Sequence, residues 1–138
     1  MPANRRSFCS TACVQRWRIK SDSTYARMQV FARDRGICAH CGLDTQMLER
    51  ALLDLCVTHA PVTAREQAAA AGFKLQFCPK ENGRFKIRSL WELDHILPVA
   101  LGGGSCGLDN MATLCARCHH VKTAEQARAR AAAKKKKP

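Results

Sequence analysis

The sequence predicts a small α+β domain, on three observations. Helical periodicity runs through residues 24–35, 45–55 and 116–133, a short strand-like run covers 91–97, and two C-x-x-C pairs stand 73 residues apart, placed to staple the unit. At 138 residues the chain fits one domain, because a single hydrophobic core commonly serves about 100–150 residues.

The first helix is expected over 24–35, where Tyr25, Met28, Phe31 and Ala32 recur at helical spacing, with Ser23 as N-cap and Gly36 as stop. A second, over 45–55, has Asp44 as cap and Met47, Leu48, Ala51, Leu52 and Leu55 on one side. A third is short and alanine-rich: Thr63 and Glu66 form an S/T-x-x-E capping pattern, and Gly72 follows the run. From Phe73 to Arg88 the residues Pro79, Asn82 and Gly83 suggest a turn or loose hairpin. Trp91–Leu97 reads as a strand, Gly102–Gly104 as a flexible loop, and about Ala116–Ala133 as a closing helix rich in Ala, Arg and Lys. The KKKKP end is expected to be disordered.

Lysine and arginine number 23 against 11 acidic residues. The excess sits at the two ends: eight basic against two acidic over 1–43, and eight against one over 111–138. Such a balance favours a polyanion partner, since cations gain affinity by releasing counterions from phosphates. The apolar runs are far short of the roughly 20 residues that cross a bilayer. The basic start MPANRRSF also lacks the apolar core of a signal peptide. No membrane association is expected, and an intracellular location is: nuclear in a eukaryote, cytoplasmic in a bacterium.

Nine cysteines in a reducing compartment point to metal rather than disulfides. Cys38 with Cys41, and Cys115 with Cys118, supply four thiolates, the set that suits a closed tetrahedral zinc site. Each pair abuts an expected helix, so the site would clamp both ends of a domain whose own core is small. Cys9 and Cys13, spaced C-x3-C, are either half of a second zinc site, with Cys56 and His59 as one way to complete it, or free thiols.

The densest chemistry lies in WELDHILPVALGGGSCGLDNMATLCARCHHVKT, residues 91–123. Asp94 and His95 are adjacent on the strand, so their side chains point to opposite faces unless a local twist or bulge intervenes. His119 directly follows the zinc ligand Cys118, so metal binding at the cysteines would fix its direction. A carboxylate and two imidazoles suit metal-assisted phosphodiester hydrolysis, one imidazole taking a proton and the other groups holding a divalent ion. Spacing alone does not assign these roles. His95 as a core histidine and Asp109-Asn110 as a plain turn are the plainer alternatives.

The ordered series C-x-x-C, L-D-H-I-x-P, G-G, L-D-N, L-C-x-x-C-H and K-T, covering about residues 25–123, resembles the zinc-stapled HNH endonucleases. The resemblance implies a ββα-metal (HNH, or His-Me finger) fold: an α+β domain with a structural four-cysteine zinc site and additional helices. It makes His95 the general base and Asp94 and His119 the ligands of a catalytic magnesium, manganese or nickel ion. Asn110 becomes a loop clamp working through backbone hydrogen bonds. Arg117, Lys122, Arg128 and Arg130, on the last helix, are the expected phosphate contacts. The N-terminal stretch RRSFCSTACVQRWRIK is similar to the leading segment of an HNH subgroup.

The expected organisation is a basic N-terminal segment over 1–23, an HNH nuclease domain over 24–123, and a basic helix end and tail over 124–138. The expected function is DNA endonuclease, as a domain of a larger repair or replication protein in which protein partners are conceivable. The alternatives are a zinc-stabilised DNA-binding module that does not cut, or an interaction domain.

Overall fold

The computed structural model describes residues 8–135, and among these the chain alternates helices with two antiparallel hairpins. In order these are α1 (Thr11–Ser21), α2 (Ser23–Asp34), α3 (Thr45–Thr58), α4 (Pro61–Ala70), β1 (Phe77–Glu81), β2 (Arg84–Ile87), β3 (Trp91–His95), β4 (Met111–Cys115) and α5 (Ala116–Lys135). Mixed helix and small antiparallel sheet is the α+β class expected. The lysine-rich end beyond residue 135 lies outside the described residues.

Helix α1 is an element the sequence reading did not separate from its basic segment. It buries no residue, so no apolar stripe marks it. Asp22 then serves two helices: its amide donates to the Arg18 carbonyl (2.8 Å) and its carboxylate accepts from the Tyr25 amide (3.0 Å). The N-cap of α2 is therefore Asp22, one residue before the expected Ser23. Asp44 caps α3 as expected, accepting from the amides of Gln46 and Met47, both at 3.0 Å. Helix α4 departs from its expected capping pattern. It starts three residues earlier, with Ala60 rather than Thr63 as N-cap and Pro61 first in the helix, where its fixed φ suits the position and needs no side-chain cap.

The loose hairpin expected over 73–88 forms, with its register shifting between Cys78 and Glu81. Asn82 (φ 51°) and Gly83 (φ 75°) turn between β1 and β2 with both central residues left-handed, the conformation that matches strand twist. The second hairpin pairs Trp91 with Cys115, Leu93 with Thr113, Asp94 with Ala112 and His95 with Met111. Strand β4 runs directly into α5, completing a strand–strand–helix unit.

Two apolar clusters hold these elements. Leu52 and Cys56 of α3, Ala64 and Ala68 of α4, and Phe73, Leu75, Ile87, Leu90 and Leu114 pack with Cys38 and Cys115. Ala26 and Val30 of α2 pack with Trp91 and Met111. Burying an aliphatic side chain such as Leu52 or Val30 contributes about 1.5–3 kcal/mol. Trp91 also stacks with Phe31 (centroids 5.9 Å apart) and lies under the Arg27 guanidinium, 3.7 Å away.

A polar brace joins α2 to the second hairpin. The Asp34 carboxylate pairs with Arg33 (2.6 Å) and accepts from both the amide (3.2 Å) and hydroxyl (3.0 Å) of Thr113. The Arg33 guanidinium reaches on to the carbonyls of Leu108 (2.8 Å) and Met111 (2.7 Å). Hydrogen bonding to Arg33 lowers the Asp34 pKa against the opposing effect of burial, with Thr113 adding in the same direction.

Because that folded pKa lies below the unfolded one, stability from ionised Asp34 is complete above the ordinary carboxylate range. It is lost as pH falls through the folded value. Asp34→Asn should cost about 1–3 kcal/mol at neutral pH, as for a hydrogen bond to a charged group. In urea denaturation the gap between variant and parent should narrow as pH is lowered into the acid range. A gap that stays constant with pH would contradict the brace.

Candidate active site and metal centre

The two C-x-x-C pairs meet. The sulfurs of Cys38, Cys41, Cys115 and Cys118 all lie within 4.8 Å of one another, a grouping that could hold a metal ion. Local backbone geometry accounts for it. The Cys38 amide donates to the Leu43 carbonyl and the Gly42 amide to the Cys38 carbonyl, both at 2.9 Å, closing a tight knuckle. The Ala39 amide donates to the Thr113 carbonyl (2.8 Å), which ties that knuckle to β4. Cys115 ends β4, and the amide of Cys118, in the first turn of α5, donates to the Cys115 sulfur at 3.4 Å.

The donor set fits zinc. A tetrahedron of about 2.3 Å bonds has edges of about 3.8 Å, and the Cys41 and Cys115 sulfurs are 3.8 Å apart. Its electrostatics call for a cation. Burial raises the Cys38 thiol, but amide hydrogen bonds from Cys115, Cys41 and His40 outweigh it and bring the pKa to about 6. Burial and the neighbouring sulfurs push Cys118 up to about 12. One thiolate thus forms readily and opposes the rest, a conflict that a divalent ion removes.

The second constellation begins at His119, the residue directly after Cys118. Asp94, whose side chain is only 12% exposed, directs Oδ1 toward His119 Nε2, 4.0 Å away. Its Oδ2 is paired with the Lys122 ammonium, which also donates to the His95 carbonyl (2.8 Å). The strand alternation read from sequence holds. Asp94 lines a cavity of about 580 Å³ with His40, Val121, Lys122 and Glu125, whereas His95 lines a separate one of similar size with Lys20, Ser21, Thr24 and Arg27. No bulge interrupts the β3–β4 register to bring the two side chains onto one face.

Asn110 clamps the chain that follows His95. Its side-chain oxygen accepts from the Leu97 amide (2.7 Å) and its side-chain nitrogen donates to the carbonyls of Leu97 (3.1 Å) and Gly103 (3.2 Å). Gly103 has no room for a side chain, since a Cβ there would lie 1.8 Å from the Leu97 carbonyl oxygen. Arg33 grips the carbonyls on either side of Asn110, at Leu108 and Met111. Sequence reasoning missed Arg33 and Asp34. Their one visible signal was an adjacent charge pair closing a helix immediately before Gly36 and Cys38.

The basic residues of α5 divide. Arg128 and Arg130 are exposed. Arg117 is turned to the cysteine cluster, 3.8 Å from the Cys41 sulfur, and donates to the Ala71 carbonyl at 3.1 Å. The Cys9 and Cys13 sulfurs come within 2.7 Å of each other, with no third ligand grouped beside them among the described residues. Cys56 is in the core under α3, and His59 Nδ1 lies 2.9 Å from the Thr58 hydroxyl, so neither completes that pair.

Comparison with known proteins places this geometry. Residues 78–125 match the HNH endonuclease family. Over 128 residues the chain is 40% identical to the DNA annealing helicase and endonuclease ZRANB3 of Mus musculus and 38% identical to that of Homo sapiens, covering 89% of this chain in each case. It spans only 11% of the length of these relatives. The crystal structure of the human ZRANB3 HNH domain aligns with a TM-score of 0.52 at 31% identity, over 86% of this chain and 99% of that one. Among the described residues no helix is long and apolar enough to cross a membrane.

The cysteine geometry predicts one tightly held zinc per chain, measurable by elemental analysis of extensively dialysed protein. Cys115→Ser should release most of it and lower the melting temperature, because metal-binding free energy is folding free energy at such a site. Full zinc retention by the variant would show that these four sulfurs do not form the site.

Proposed function

The chain belongs to the HNH endonuclease family, and on that footing we propose that it is a metal-dependent DNA endonuclease. Residues 24–123 would form the nuclease domain, as one part of a larger DNA repair or replication protein. The observation that carries this reading is the approach of Asp94 to His119 across the β3–α5 junction, with His95 next in the chain. The two ligand atoms are 4.0 Å apart, within the roughly 4.2 Å that two bonds of about 2.1 Å can span. A carboxylate oxygen and an imidazole nitrogen accept magnesium, manganese or nickel without sharp selection.

Asp94 and His119 would hold the divalent ion, which when bound polarises a phosphate oxygen and steadies the leaving 3′ oxygen. His95 works from the other side of the strand. Its imidazole takes a proton from water, and the hydroxide forms a bond to phosphorus while the bond to the 3′ oxygen breaks; the departing oxygen takes a proton from solvent, leaving 5′-phosphate and 3′-hydroxyl ends. Asn110 holds the strand end and loop in register behind His95. Zinc at the four cysteines sets the first turn of α5, and therefore the start of the His119 side chain.

DNA would be drawn to the site by its phosphates. Arg128 and Arg130 are exposed to meet them on α5, and Lys20 adds an exposed cation on the wall of the His95 cavity. Contacts of this kind position a duplex without reading its sequence. In a eukaryote such a protein would work in the nucleus.

His95→Ala should reduce magnesium- or manganese-dependent nicking of supercoiled plasmid by about 10²–10⁴-fold, the usual contribution of a general base, while DNA binding in a gel-shift assay is retained. Undiminished nicking by the variant would remove His95 from the reaction. No cutting by a zinc-loaded parent that binds DNA would leave a binding module in place of a nuclease.

A further inference from the structure

The two oxygens of Asp94 are divided between different partners. Oδ1 faces His119, while Oδ2 is held by the Lys122 ammonium. The same ammonium donates to the carbonyl of His95 at 2.8 Å, so one cation touches both residues proposed to act. The group is also sheltered, with 12% of the Asp94 side chain and 28% of that of Lys122 exposed. Charges this close and this shielded interact more strongly than they would in open water.

A lysine directed to the phosphates, as its place on α5 suggested, would have left Asp94 to the metal alone. Here the carboxylate is already neutralised. A divalent ion entering between Oδ1 and Nε2 meets a carboxylate whose charge is shared with an ammonium, and the two cations repel across it. Phosphate offers Lys122 another acceptor. Its four-carbon stem and three rotatable donors let it turn from one oxyanion to another without moving the helix.

We infer that Lys122 is a gate on the metal site. It holds Asp94 in place and weakens divalent-ion binding until a DNA phosphate draws the ammonium away, so that metal and DNA bind cooperatively. The inference rests on the assignment of Asp94 and His119 as metal ligands. It makes Lys122 a positioning residue with a regulatory consequence, beyond that of a phosphate contact. The coupling must be reciprocal: whatever factor DNA adds to metal affinity, metal adds to DNA affinity.

The test is a calorimetric titration of the zinc-loaded chain with Mn²⁺, alone and with a short DNA duplex, in a His95→Ala background that prevents cutting and keeps the backbone carbonyl. Lys122→Gln should bind Mn²⁺ about tenfold tighter than the parent without DNA, within the usual range of about 5–150-fold for coupled sites. The gain from DNA should then largely disappear, whereas Lys122→Arg should keep both parental behaviours. A purely structural loss would not tighten metal binding, so an unchanged or weaker Mn²⁺ affinity in Lys122→Gln overturns the gate while leaving the nuclease reading intact. Absence of any DNA effect on Mn²⁺ affinity in the Lys122 parent overturns it without reliance on a Lys122 substitution. Parental Mn²⁺ binding by an Asp94→Asn form would overturn the ligand assignment itself, and the inference with it.

Discussion

Four sulfurs drawn within 4.8 Å of one another are the constraint on which the rest of this molecule depends. They come from two places that the chain otherwise has little means of joining: the turn between α2 and α3, and the joint between β4 and α5. The apolar clusters are small, and the hairpin they support has only two strands, which is marginal alone in water. A metal at the cysteines converts that joint into a fixed corner. His119 follows the last ligand directly, and Lys122 lies three residues further, so both inherit their positions from the corner.

Polar braces carry that order to the far end of the hairpin. Asp34 holds β4 through the amide and hydroxyl of Thr113, and the carbonyl of the same residue receives the knuckle amide of Ala39. Arg33 holds the two carbonyls around Asn110, and Asn110 in turn holds Leu97 and Gly103. The residues proposed to act are therefore framed from both ends of a short strand. Strand alternation then separates Asp94 from His95, which would leave the ion on one side and the water-activating imidazole on the other, with the substrate phosphate spanning the strand end.

Much of this was legible in the sequence because it rests on local chemistry. Two C-x-x-C pairs announce a thiolate site whatever lies between them, and Asp44 announced the start of α3. Period-two geometry foretold that Asp94 and His95 would part. Less was legible where the cause is tertiary. Helix α1 has no buried face to mark it, and Asp22 displaced Ser23 as a cap because one residue serves two helix ends. Pro61 started α4 by its fixed φ, three residues ahead of the start that the Thr63 capping pattern marked. Lys122 read as a phosphate contact; only folding shows that Asp94 stands opposite it. The Arg33–Asp34 brace was invisible for the same reason, since its partners are 75–79 residues away.

The most direct test of this dependence is hydrogen exchange followed by mass spectrometry, before and after zinc is removed by a strong chelator at neutral pH. If the cysteine corner holds the site, amide protection should fall together across Cys38–Leu43, β3, β4 and the first turns of α5. Restoring zinc should restore all of it at once. Protection of β3 and β4 that survives metal removal would mean that the apolar clusters and the Asp34 brace suffice, and that the cysteines do not set the positions of Asp94 and His119.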